Sequence, residues 1–388
     1  MHGLNLLGVA LTVAATAYCG LALAAVLRAR RRRLEAPPAA LAPVSVLKPL
    51  CGAEPRLYEN LRSVCEQDHP QFQIVCGVRE ADDPAGAVVE RLQREFPQLD
   101  LVLVRDPRVH GANPKVSNLI NLLPAARYDH LVIADADVAV PRDYLRRVCA
   151  PLAEAGVGVV TCLYRGHAVG GFWSRLGVQF IDDWFAPSVW IAHAFGSVRF
   201  GFGATLALRR QTLEAIGGFE VLRDELADDW WLAERARRLG LRTVLSDLVV
   251  STDVTERRAA EWWAHELRWL RTIRSLAPLG YCFLFVSCTT PVALAGALLA
   301  RSPLAAGWAA AALALRLVLH WTQSAPRPWR ERWAGAWSVP LRDALLLATW
   351  AAGCFGKAVH WRGQRMRLAG SRSPARMDLF VSDSHKPL

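Results

Sequence analysis

The sequence predicts an α/β protein: a doubly wound, parallel-sheet domain inserted between transmembrane helices at its N- and C-terminal ends. Three observations carry this. From Val44 to Ile133, short β-branched runs alternate with helical stretches, the pattern of a parallel sheet covered on both faces. Long apolar runs flank that region on both sides. Within it, Leu131, Val132 and Ile133 read as a strand buried on both faces, which ends at two carboxylates, Asp135 and Asp137.

Composition narrows the class. A chain of 388 residues that is 53% hydrophobic exceeds one ordinary soluble domain and points to a globular part plus membrane spans. The net charge of +11 reflects arginines beside the apolar runs, at Arg28 and Arg30 to Arg33, at Arg271 and Arg274, and at Arg362, Arg365 and Arg367. Such flanks suit a cytoplasmic membrane surface better than a stripe that tracks nucleic-acid phosphates, so no nucleic-acid partner is expected. The nine cysteines include no Cys-x-x-Cys pair, and no His cluster has zinc-ligand spacing, which argues for reduced thiols over a disulfide framework or structural zinc.

Residues 1–27 form the N-terminal anchor. Leu4 to Leu27 is nearly unbroken apolar sequence, enough to cross about 30 Å of hydrocarbon at about 1.5 Å per residue. Its arginines follow the apolar run instead of preceding it, which predicts an uncleaved anchor with its C-terminal side in the cytoplasm. Residues 28–43 are a basic, Pro-containing linker, and 44–275 the cytoplasmic domain. There Val44 to Lys48, Gln73 to Val78 and Asp100 to Val104 read as strands, and Leu57 to Glu66, Val88 to Phe96 and Val116 to Leu123 as helices. The stretch near 170–200 is rich in Trp and Phe and is expected to lie at the bilayer surface, with a packed helical subdomain as the competing reading. Gly201 to Leu208 reads as a strand, Gln211 to Ile216 as a short helix and Leu226 to Leu239 as a longer one. Residues 276–360 hold the C-terminal membrane helices. Leu279 to Ala300 would be kinked at Pro291, and Leu304 to Trp321 would return with Arg316 facing protein or water. A basic loop follows from Arg327 to Arg332, then a short run, Ala344 to Gly356, that either crosses or re-enters. Residues 361–388 form a basic tail.

Ligands of open α/β sheets bind beyond the carboxyl ends of the strands, where Asp135 and Asp137 fall. Two such carboxylates can hold Mg²⁺ together with substrate phosphates, although an Asx-type turn that ends a strand reads the same way. Lys48, in Lys48-Pro-Leu, sits at the same edge or in a simple turn. Glu80, Asp82 and Asp83 can accept hydrogen bonds from a base or ribose, or merely open a helix at Pro84. Gly111-Ala-Asn-Pro-Lys115 offers a flexible backbone and a cation ahead of a helix, suited to a diphosphate; Ser117 or Asn118 as the N-cap is the alternative. Asp228 and Asp229 start another helix, either complementing its dipole or, for Asp229, serving as a general base. Helical periodicity puts His265, Arg268 and Trp269 on roughly one face, as an amphipathic surface helix also would.

Together these motifs resemble the ceramide glucosyltransferase family, processive-synthase-like glycosyltransferases of the GT-A fold. The resemblance rests on Lys48-Pro-Leu, Asp82-Asp83-Pro-Ala85, Gly111-x-Asn-Pro-Lys115 with Asn118-Leu119, Asp135, Ala227-Asp-Asp229 and His265-x-x-Arg-Trp269. The family's ordered aspartates fall on Asp82, Asp135 and Asp229, and its (Gln/Arg)-x-x-Arg-Trp motif on His265 to Trp269. Two departures stand out: His265 replaces Gln or Arg, and Asp137 completes an Asp-x-Asp. Cys162 to Gly166, Asp182-Asp-Trp184 and His265 to Trp269 are most similar to the bacterial hopanoid-biosynthesis glycosyltransferases. The resemblance implies a multi-pass enzyme of the bacterial inner membrane with its active site facing the cytoplasm. It would move glucose or N-acetylglucosamine, with inversion, from a UDP-sugar to a membrane-lipid hydroxyl, with Mg²⁺ or Mn²⁺ at Asp135 and Asp137. In that scheme Asp229 is the catalytic base. Lys48, Glu80, Asp82, Lys115, Asn118 and Asp135 bind the nucleotide sugar, while His265, Arg268 and Trp269 meet the pyrophosphate and the acceptor. A hydroxylated hopanoid is the first acceptor and ceramide the second. A polysaccharide synthase, a polyprenyl-phosphate sugar transferase and an inactive membrane scaffold are the alternatives.

Overall fold

The computed structural model describes residues 2–31, 41–356, 358–361 and 364–367. Residues 32–40 of the expected linker and 368–388 of the expected tail lie outside these. After α1 (His2–Arg31), strands β1 (Val44–Pro49), β2 (Phe72–Val78), β3 (Asp100–Arg105) and β4 (His130–Ile133) are linked by α2 (Leu57–Cys65), α3 (Pro84–Glu95) and α4 (Pro114–Leu122). They pair parallel in the order β3-β2-β1-β4. Their side chains alternate between two cores. Val46, Ile74 and Val132 pack with Leu61, Val64 and Val89, whereas Leu47, Val75, Leu131 and Ile133 pack with Val116, Leu119 and Leu122. Leu47 is registered with Ile133, so Lys48 and Asp135 emerge at neighbouring strand ends.

Beyond β4 the sheet departs from the parallel expectation. Next come β5 (Val138–Ala139), α5 (Tyr144–Cys149), β6 (Val157–Ala168), α6 (Phe172–Phe180), a π-helical turn (Ile181–Phe185) and α7 (Ala186–Ala194). The domain continues with β7 (Leu206–Arg209), α8 (Arg210–Ala215), α9 (Asp228–Arg238) and β8 (Arg242–Val254). The full order is β3-β2-β1-β4-β7-β6-β8-β5, with β7 antiparallel to both neighbours and β5 antiparallel to β8. The excursion through α6 and α7 leaves and returns at one end of the sheet, so β7 must run backwards. The strand expected from Gly201 begins only at Leu206. A bridge between Phe202 and Thr205 closes a turn around Gly203, because the two glycines bring no side chain to hold a ladder. The long β8 carries Thr252 opposite Val138, which curls the sheet back against the segment holding Asp137.

α10 (Ala259–Leu276) leads to α11 (Pro278–Phe283), α12 (Thr289–Ala300), α13 (Pro303–Gln323) and α14 (Trp329–Gly353). Among the described residues, α1 and α13 are each long and apolar enough to cross a membrane. The stretch expected as one span kinked at Pro291 is instead broken at Cys288, where Pro278–Ser287 and Thr289–Ala300 meet at 72°. Pro291 lies in the first turn of α12, where no intrahelical hydrogen bond is due. The expected basic loop and the last apolar run join in α14, a single helix of 25 residues whose first turn holds Arg330 and Arg332. α1 crosses α12 closely: a Cβ on Gly8 would lie 2.5 Å from the Gly296 carbonyl oxygen. Residues 358–361 and 364–367 form an antiparallel hairpin.

A buried charge cluster joins these helices to the domain. Arg316 in α13 pairs with Asp343 of α14 at 2.9 Å and with Asp183 of the π-turn at 3.6 Å. His320 Nδ1 lies 2.6 Å from Asp183, and Asp343 accepts from the Thr290 backbone and hydroxyl. Arg316 therefore faces protein, as expected. In the aromatic segment Phe180 and Trp184 are buried, with Trp184 Nε1 donating to Ser287 Oγ at 2.7 Å, while Phe172 and Phe195 are exposed. Removing one partner of a buried ion pair strands the other, at a cost of about 3–5 kcal/mol. Asp343→Ala is therefore expected to lower the unfolding temperature of the detergent-solubilised protein well below that of an exposed-charge control such as Glu59→Ala, as read by thermal melts.

Candidate active site

Asn113 caps α4 by accepting from the Val116 N–H at 3.1 Å, with Pro114 at the first helical position. The cap is thus neither Ser117 nor Asn118. Asn113 also donates to the Glu225 carbonyl (2.8 Å) and to Asp228 (3.2 Å), which ties the start of α4 to the start of α9. This delivers Lys115 into the gap between the two halves of the sheet. Its Nζ lies 2.6 Å from Asp135 Oδ1 and 3.5 Å from Asp228 Oδ2. Burial would lower the Lys115 pKa, but Asp135, Asp228 and Asp229 outweigh it and hold the ammonium charged.

Asp229 joins the same centre. Its carboxylate accepts from the Gly203 and Trp230 backbone N–H groups at 2.8 and 2.7 Å. Burial, and next to it Asp228, push its pKa up to about 6. Gly203 shows how close the groups are: a Cβ there would lie 2.7 Å from Asp135 Oδ2, 3.1 Å from Lys115 Nζ and 3.5 Å from Asp229 Oδ2. Asp137 sits beyond, accepting from Thr252 Oγ1 at 3.0 Å; burial, then Asp135 and Glu54, push it up to about 7. Among the described residues no group of three or more His, Cys, Asp or Glu is arranged to hold a metal ion. Asp135 and Asp137 are the pair that could share one with a substrate phosphate, and their mutual repulsion is what a divalent cation would relieve.

The other expected residues divide. Lys48 is fully buried and donates to the Asp135 carbonyl at 2.8 Å, so it sits beneath the site and props the carboxylate loop. Asn118 donates to the Gly77 (2.8 Å) and Leu50 (3.3 Å) carbonyls and so fastens two strand ends. It also lines a cleft of about 10 Å³ with Arg79, Arg108 and Pro114. Glu80 and Asp82 are exposed beyond β2, and Glu80 pairs with Arg79 at 3.2 Å. Their neighbour Asp83 is the helix opener, accepting from Gly52 and Ala85 N–H groups at 3.0 and 2.8 Å.

On α10, His265 Nδ1 hydrogen-bonds Glu256. Arg268 faces Tyr164, Asp229, Glu256 and Asp135, and its guanidinium makes no hydrogen bond or ion pair among the described residues. Trp269 stands edge-on to Phe185 (5.4 Å), Phe180 (5.6 Å) and Tyr164 (6.1 Å), forming an aromatic wall beside the carboxylates. Gly203, Tyr164, Thr252 and Glu256 escaped sequence reasoning. Gly203 carried a signal there as a glycine interrupting a strand pattern, and Tyr164 lay inside the Cys162 to Gly166 run without being given a role.

The parallel half of the sheet thus ends at a carboxylate–lysine centre with an aromatic wall beside it. The chain belongs to glycosyl transferase family 21, whose family model matches residues 7–373. It is 25% identical over 204 residues to ceramide glucosyltransferase 1 of Caenorhabditis elegans, covering 52% of this chain and 44% of that one. It is 28% identical over 219 residues to the beta-monoglucosyldiacylglycerol synthase of Synechocystis sp., covering 54% and 43%. The chain thus spans under half the length of these two relatives. The fold is shared with a mannosyltransferase from Pyrobaculum calidifontis solved in complex with GDP-Man and Mn²⁺, at a TM-score of 0.53 and 24% identity, over 89% of this chain and 99% of that one. Gly203→Ala would place a methyl group among Asp135, Lys115 and Asp229. Glycosyl transfer is expected to be lost while the melting temperature stays near that of the parent protein, as compared by activity assay and thermal melts.

Proposed function

We propose that this chain transfers a hexose, glucose or N-acetylglucosamine, from a UDP-sugar to a hydroxyl of a membrane lipid at the cytoplasmic face of a bacterial inner membrane. The observation that carries the reading is the convergence of Asp135, Lys115 and Asp229 on the point above Gly203, with the wall of Trp269 beside it. The membrane side is supported by the apolar helices α1 and α13 and by Arg28, Arg30 and Arg31 at the C-terminal end of α1. The lipid acceptor is supported by the names of the relatives, one acting on ceramide and one a glucosyldiacylglycerol synthase. A hydroxylated hopanoid such as bacteriohopanetetrol is the proposed acceptor, and ceramide the second reading.

Transfer requires a leaving diphosphate to be neutralised and an acceptor hydroxyl to lose its proton. Mg²⁺ or Mn²⁺, when bound by Asp135 and Asp137, supplies positive charge for the leaving phosphate oxygens. Lys115 and Arg268 add fixed cations on the same side. In this reading Glu80 and Asp82, exposed past β2, would meet the nucleoside, and His265, hydrogen-bonded to Glu256, would meet the pyrophosphate from α10. Asp229 takes the hydroxyl proton. Two of its lone pairs are spent on backbone N–H groups, which fix the carboxylate while leaving others free. A single displacement from the opposite face gives a β-glycoside from an α-linked donor. Trp269 and the Tyr164–Phe185 pair form the side on which an apolar acceptor would rest.

Asp229→Asn should keep UDP affinity and lose roughly 10²–10⁴-fold in turnover, the usual contribution of a general base; an assay of purified enzyme with UDP-sugars and hopanoid, ceramide and diacylglycerol acceptors, read by mass spectrometry, checks both the loss and the acceptor. Asp137→Ala should remove the metal-dependent part of UDP binding. Calorimetry with and without Mn²⁺ measures it, and an unchanged metal-dependent affinity would count against the proposed clamp.

A further inference from the structure

A cavity of about 130 Å³ lies away from the acidic centre, with Tyr164 in its wall. Its walls come from the last turns of α1 (Val26, Arg30), from β6 (Tyr164, Arg165), from α7 (Trp190) and from the last residue of α13, Gln323. The volume is roughly ten times what one enclosed water needs. Both candidate membrane-crossing helices end here, and Arg30 Nη2 donates to the Thr322 carbonyl at 2.5 Å to lock the two ends together. The cavity therefore lies at the shared end of two long apolar helices.

Its charge is unbalanced in a particular way. Two aspartates reach the wall, but each is already engaged: Asp182 by Arg327 and the Gly166 N–H, and Asp247 by Arg147 at 2.8 Å. The two arginines are left over. Among the described residues the Arg30 guanidinium is bound to a carbonyl alone, and that of Arg165 makes no hydrogen bond or ion pair. Two guanidinium groups facing one small cavity repel, and a planar donor fork is suited to the oxygens of a phosphate. An oxyanion between them would satisfy both. A neutral glyceride hydroxyl would not.

We propose that this cavity binds a phosphate group, separate from the diphosphate of the donor, between Arg30 and Arg165. The ligand is either the phosphodiester of an anionic membrane lipid reaching in from the bilayer or inorganic phosphate from the cytosol. Occupancy would brace β6, whose Tyr164 packs on Trp269 and whose Gly166 N–H is held by Asp182. The site thus links the presence of anionic lipid to the shape of the aromatic wall.

The test uses the full-length protein in a neutral sugar detergent. Native mass spectrometry would measure retention of phosphatidylglycerol against diacylglycerol, which has the same tails and no phosphate. A parallel thermal melt would compare inorganic phosphate with chloride at equal ionic strength. Preferential retention of phosphatidylglycerol, reduced about tenfold in Arg165→Gln, identifies the lipid headgroup. Stabilisation by inorganic phosphate that Arg165→Gln removes, without preferential lipid retention, identifies the free ion. If the parent protein retains both lipids equally and phosphate acts no differently from chloride, the proposal is overturned. It is likewise overturned if Arg165→Gln, with UDP affinity intact, leaves every phosphate effect unchanged.

Discussion

A single lysine among carboxylates governs the centre of this molecule. Lys115 stands between Asp135 and Asp228, with Asp229 close by, and its positive charge is what allows several acids to be half-buried together. Everything that fixes its position acts on the site indirectly. The Asn113 cap sets the pitch of the first turn of α4, and its amide holds the loop that leads to Asp228. The two chain segments meeting there lie far apart in sequence, one from the parallel half of the sheet and one from the start of α9. Electrostatic neutralisation and backbone capping thus draw both halves of the domain onto one point.

The second organising element is the π-turn at Asp182 and Asp183. Adjacent carboxylates on one helix would normally point roughly 100° apart. Within the π-turn Asp182 meets Arg327 and the Gly166 N–H on the sheet side, while Asp183 meets His320 and Arg316 among the apolar helices. π-bulges often mark functional regions. Here the bulge is the hinge by which α13 and α14 grip the domain, supported by the Arg342–Glu266 pair at 2.6 Å between α14 and α10.

Much of the parallel half was legible in the sequence, because strands buried on both faces leave contiguous β-branched runs and their connecting helices leave amphipathic ones. The antiparallel entry of β7 was not, since strand direction depends on where a long connection returns, and nothing local encodes that. At the site, Asp135, Lys115 and Asp229 converge around Gly203, and Trp269 stands edge-on to Tyr164. Lys48 and Asn118 lie at the same strand ends, yet their hydrogen bonds go to backbone carbonyls, a distinction residue type alone does not make. Asp83 was weighed as a helix opener, and its bond to Ala85 is that opener. Glu256 left no trace in the pattern because its partner His265 is nine residues away across a loop and a helix start.

β8 and the loop after it deserve a mechanical reading. Thr252 holds Asp137, Asp253 holds Arg56 and Asn60, and Glu256 holds His265, all from one unbroken five-residue stretch. These side chains share a single phase along the chain. One residue inserted or deleted between 252 and 256 would move every later anchor to the wrong face at once. This short segment is therefore length-locked: a frame slip would release Asp137, Arg56, Asn60 and His265 from their anchors in one step.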